Sequence, residues 1–135
     1  MATVQELDQG LNKYFRPLTF PLAIKMLASE DEIPERTRRP MEHLGKKVAI
    51  CQGIGMARKY GWAIAMGKED MHCSLGAAPF GFFKDIEFYN EGNLSAGMFT
   101  GSTELGKTQE DLVDRFGYGE HKYILVAPLQ FTTFD

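Results

Sequence analysis

The chain has 135 residues, 44% of them hydrophobic and 24% charged, a composition that suits one ordinary folded domain and excludes a disordered segment. A formal net charge of −3 provides no global positive field to hold a nucleic-acid backbone, so no nucleic-acid partner is expected. No uncharged stretch reaches the ~18 residues that span a bilayer, and the acidic start "MATVQELDQG" lacks the basic and apolar regions of a secretory signal. The reading is a cytoplasmic protein with reduced thiols and no membrane contact.

Val4, Leu7, Leu11, Tyr14 and Phe15 recur at three- and four-residue steps, which predicts an amphipathic helix over 3–15 with Thr3 as its cap and Pro17 beyond its end. The apolar run "LTFPLAIKML", 18–27, reads as a buried strand in which Lys25 is the only charge, with Pro21 at its start or on an edge. Residues 29–47 mix both signs of charge with two prolines and read as a mobile surface excursion. Arg36, Arg38 and Arg39 within it form a secondary candidate for an anion site.

"VAIC", 48–51, reads as a short strand or a helix start and "GMARKYG" as a helical turn or two, with 48–51 and the run at 62–66 placed in the sheet, and "DIEFYNEGNLSAGMF" alternates enough to suggest strands within 86–99 around a turn at "NEGN". A second helix is predicted over 107–116, with Thr108 as N-cap and Gly117 as the stop. "KYILVAPLQF" is the strongest strand in the chain, placed near 122–129. A strand so near the end, with no later element to cover it, must be central by topology or belong to a longer chain. Together these elements specify an α/β or α+β fold: one domain over 1–135, with a mixed sheet flanked by helices and the strand order open.

Gly53-Ile54-Gly55 begins like a dinucleotide fingerprint, but Arg58 stands where the third glycine belongs and no acid follows at the required distance. No phosphate-cradling loop and no nucleophile elbow are present. The two cysteines, Cys51 and Cys73, are not in a C-x-x-C arrangement, which excludes a thioredoxin-type couple or a zinc ribbon. Each could lie at a helix start, where a thiolate is favoured, or could be a small apolar core residue.

The ordered pieces "LTFPLAIKML", "VAICQGIGMARKYG", "HCSLGAAPFGF", "FYNEGNLSAG" and "YILVAPLQF" resemble the uncharacterised ArCR proteins, domain-of-unknown-function family 169. That resemblance brings no catalytic residues. It implies a longer family fold whose C-terminal part this chain lacks, 1–135 being its N-terminal portion.

Three functions remain open from the residues. The first is an accessory redox or metal-binding protein in which Cys51 and Cys73 lie near one another and serve as metal ligands. Two such pairs would meet in a homodimer to hold an iron–sulfur cluster or zinc. The second is a binding domain or enzyme for a small anionic metabolite, with a pocket lined by Trp62, Phe80, Phe82 and Phe83 and with Lys25 or Arg58 orienting the charge. The third is a partner-binding subunit without chemistry.

Overall fold

In a computed structural model of the protein, which describes residues 2–84 and 86–131, the apolar run near the C-terminus occupies the middle of a three-stranded sheet. The strands are β1 (Leu22–Leu27), β2 (Ile64–Gly67) and β3 (Tyr123–Pro128), in the order β1-β3-β2. Both pairings are antiparallel, so the sheet is not the mixed one expected and the class is α+β. Central placement satisfies both edges of β3 with backbone partners, and all six of its residues are buried. The strand expected to need cover is therefore covered by its neighbours.

Two compact units divide the chain. The first comprises residues up to His72 together with the segment from Lys122, and the second runs from Cys73 to His121. In the first unit, helix α1 (Val4–Tyr14) starts as predicted. The Thr3 hydroxyl accepts from the Glu6 amide at 3.2 Å, and the Glu6 carboxylate accepts from the Thr3 amide at 2.7 Å, the reciprocal capping box.

Helix α2 (Ile50–Tyr60) overturns the strand expected at 48–51. Val48 makes only an isolated bridge to Met71. Gln52 then accepts from the Ala49 amide at 2.8 Å and starts the helix although Ala49 offers no capping side chain. Strand β2 lies entirely in the core.

The charged stretch 29–47 is not a loose excursion. Glu32 accepts from the amides of Ala28 and Ser29, each at 3.0 Å. Arg38 then pairs with the outer side of β2, donating to the Ala63 carbonyl at 2.9 Å and accepting from the Ala65 amide at 3.0 Å. A π-helical turn at Pro40–Leu44 follows. Arg39 pairs with Glu30 of the same segment and with Asp70, which ties this polar stretch to the edge of the sheet.

The second unit carries helices α3 (Ser74–Ala77), α4 (Glu87–Asn90) and α5 (Thr103–Asp111), and no strand among its described residues. The "NEGN" turn is present, but helix α4 and a run of turns occupy 86–99 in place of the strands expected there. Helix α5 starts earlier than its predicted 107–116. Ser102 is its cap, accepting from the Leu105 amide at 3.3 Å, while Thr108 lies mid-helix and donates to the Glu104 carbonyl at 3.0 Å. Gly106, ahead of the expected start, lies inside the helix. A β-carbon there would collide with the carbonyl of Gly92, itself at φ +79°, so this glycine lets two backbones touch inside the helix.

Candidate functional site

Side chains alternate across the sheet, so Lys25 and Leu27 on β1 share a face with Leu125 and Ala127 on β3 and with Ala65 on β2. The opposite face, with Ile64 and Met66, receives α2, where Gly53 admits the Met66 thioether. On the first face Ile33 packs against the buried cluster Leu27, Ala65, Tyr123 and Leu125. Beside it lies a cavity of about 550 Å³, within the usual range for small-molecule sites.

The floor of this cavity is apolar, made by Leu27, Ala63, Leu125 and Ala127, and its charged and polar wall comes from Lys25, Glu32, Arg36 and Thr37. Glu32 is committed to the two amides it caps. Thr37 is only 6% exposed, and its hydroxyl has no hydrogen-bond partner, although its amide is fixed at 3.0 Å to the Pro34 carbonyl. Buried polar atoms are seldom left so.

The three arginines of the charged stretch have separate tasks. Arg38 lies over the Trp62 ring at 3.9 Å, and Tyr60 packs beside that ring at 5.1 Å. Arg39 is the centre of an ion cluster. It binds Glu30 at 2.6 Å, the fully buried Asp70 at 3.1 Å, and Glu69. Asp70 also accepts from the amides of Met41 and Gly67, both at 3.0 Å. Burial works against the charge of Arg39, but hydrogen bonding and attraction from Asp70, then Tyr123 and Glu69, outweigh it and hold its pKa above the ordinary arginine value. The Tyr123 phenol is also held above its ordinary value, chiefly by burial and then by the Glu69 charge, with Arg39 opposing. This cluster is structural, and only Arg36 of the three reaches the cavity.

A family model matches residues 10–135, nearly the whole chain and every residue of the cavity wall. The chain belongs to the uncharacterised ArCR family, domain-of-unknown-function family 169. No curated protein and no solved structure matches it, so for this ArCR chain the chemistry rests on its own residues.

The residues singled out in the ArCR sequence are dispersed. Lys25 lines the cavity over the sheet. Arg58 lines a different, shallower cleft of about 450 Å³, where its guanidinium reaches the Thr19 hydroxyl at 3.4 Å. Trp62 serves as the platform for Arg38. Phe80 belongs to the second unit, stacked with Phe116 at 6.4 Å, and Phe82 is buried there. Trp62 and Phe80, expected to line one aromatic pocket, thus belong to different units.

Cys51 is an exposed free thiol in the first turn of α2. Cys73 is a half-buried free thiol immediately before α3, in the other unit. Among the described residues, no three His, Cys, Asp or Glu side chains form a group that could hold a metal ion. Thr37 is the site residue that sequence reasoning missed. Its only signal was its place beside Arg38, whose bridge to β2 no local pattern announces.

Proposed function

We propose that this ArCR protein binds a small anionic molecule in the cavity over the sheet, with Lys25 and Arg36 orienting its charge and the apolar floor receiving its body. The observation that carries this reading is a roomy cavity whose wall combines two cations with a buried, unpartnered Thr37 hydroxyl. Charge-assisted hydrogen bonds from Lys and Arg suit carboxylate and phosphate groups.

Thermal shift of the full chain against a panel of carboxylates and phosphates tests it. A ligand at a hundred times its dissociation constant adds ~2.7 kcal/mol of stability, and the Lys25→Gln/Arg36→Gln double variant should lose that gain. A panel that leaves the midpoint unmoved overturns the proposal.

Cys51 supports a second reading, since an exposed thiol is open to a metal or an oxidant. In that reading Cys51 and Cys73 serve an accessory redox role or bind zinc or an iron–sulfur cluster, two pairs meeting in a homodimer. Absorption spectra and metal analysis of anaerobically purified protein test it. Colourless, metal-free protein with unreactive thiols removes its support.

A further inference from the structure

We infer that the end of helix α1, with the cleft beside it, docks on an anionic lipid surface. Lipid phosphate is held in the cleft, and the exposed side chains of the turn after the helix are set among the acyl chains. This cleft is distinct from the cavity over the sheet, so the inference goes beyond the function read there. It also replaces the expected absence of membrane contact. No helix among the described residues is long and apolar enough to cross a membrane, but docking at a surface needs no such run.

Charge is segregated along the chain. Asp8 and Glu30 bracket a stretch without a carboxylate, and Glu42 and Glu69 bracket another, although acids outnumber bases overall, 18 Asp and Glu against 15 Lys and Arg. The two stretches meet at the cleft of about 450 Å³, which Leu18 and Thr19 of the first line together with Arg58 and Lys59 of the second. No carboxylate among the described residues lines it. Arg58 reaches the Thr19 hydroxyl only at 3.4 Å, through Nε and Nη2, and neither Arg58 nor Lys59 forms an ion pair among the described residues. A guanidinium, an ammonium and a hydroxyl so placed suit a phosphate group.

Beside these cations the chain leaves large apolar groups in water. Leu7, Leu11 and Tyr14 lie on one face of α1, yet the helix buries none of its residues. Tyr14 and Phe15 are exposed, and Leu18 is fully so. The turn that carries them is ordered. The amides of Phe15 and Arg16 both donate to the Leu11 carbonyl, at 2.9 and 3.2 Å, and Arg16 takes a φ of +45°, a conformation that helix ends usually leave to glycine. Lys13 and Arg16 are interleaved with the apolar groups, and neither forms an ion pair among the described residues.

Free phosphate would satisfy the cations and leave Phe15 and Leu18 in water. A surface of anionic lipid supplies phosphate and hydrocarbon in adjacent layers, so it accounts for both sets of groups at once.

Co-sedimentation of the full chain with vesicles tests this, using equal parts of phosphatidylglycerol and phosphatidylcholine against phosphatidylcholine alone. The chain should bind the anionic vesicles, less tightly as salt rises, and should bind phosphatidylcholine at least about tenfold more weakly. Arg58→Gln and Lys59→Gln should each weaken anionic-vesicle binding about fivefold. Phe15→Ser/Leu18→Ser alters only exposed side chains, so it should keep the natural circular dichroism and urea midpoint while lowering vesicle binding at least about tenfold. Unchanged binding by that variant overturns the inference, as does equal binding to the two kinds of vesicle. A chain that binds inorganic phosphate in isothermal titration but no vesicle at low salt overturns it too, and so does one that binds neither.

Discussion

Replacing Thr37 by valine tests the cavity wall through stability, without any ligand. The two side chains have nearly the same shape, so the change removes a hydroxyl and little else. That hydroxyl lies in a residue 6% exposed and has no hydrogen-bond partner. An unsatisfied buried polar group costs ~1–3 kcal/mol, and taking the low end for a hydroxyl on a cavity wall, Thr37→Val should stabilise the unliganded protein by about 1 kcal/mol. For a chain of this length that is a rise of about 3–5 °C in the thermal midpoint. Differential scanning calorimetry reads it directly, and urea titration should show a higher midpoint with an unchanged slope. The same variant should gain less from any anion of the panel that stabilises the natural chain, so stability and affinity move in opposite directions. A lowered midpoint would refute the reasoning, because it would mean that the hydroxyl already has a partner in the free protein, such as a bound water.

Other consequences follow from the ion cluster and from the second unit. Asp70→Ala strips Arg39 of its buried partner and leaves the amides of Met41 and Gly67 unpaired, so it should cost about 3–5 kcal/mol in urea unfolding, enough to unfold much of the protein at 37 °C. Gly106→Ala presses a methyl group against the Gly92 backbone and should cost ~1–3 kcal/mol, with faster amide exchange appearing first in residues 87–111. The Tyr123 phenol has a folded pKa raised above its unfolded value of ~10. Its contribution is therefore intact below pH ~10 and is lost as pH rises through the raised folded value. Tyr123→Phe should flatten that part of the alkaline stability profile.

The features legible in the sequence were those set by near neighbours. Thr3 and Glu6 are three residues apart and close a capping box whatever else the chain does. The run around Ile124 and Val126 has to be buried, and the sheet pairs both of its edges. Two expectations that failed concern where helices start. Helix α5 is capped by Ser102 rather than Thr108, with Gly106 inside it giving room to the Gly92 backbone. "VAIC" reads as a strand or a helix start, expected in the sheet, but Gln52 starts a helix there through its own side chain.

The candidate site lies further beyond local reading, because its wall is assembled from segments distant in the chain. Lys25 was legible as the lone charge in an apolar strand, since a charge there must face a solvent or ligand surface. Arg36 could not be told apart from Arg38 and Arg39 by composition. One lines the cavity, one lies on Trp62 and one neutralises Asp70, and the distinction depends on the Arg38–Ile64 bridge. The sequence by itself determined the elements that local hydrogen bonds and apolar periodicity can build, together with the burial of the last strand. Only the tertiary structure decided which charges are spent on one another and which face the cavity, because pairing across the sheet alternates side chains between two faces and a register one residue different would exchange them.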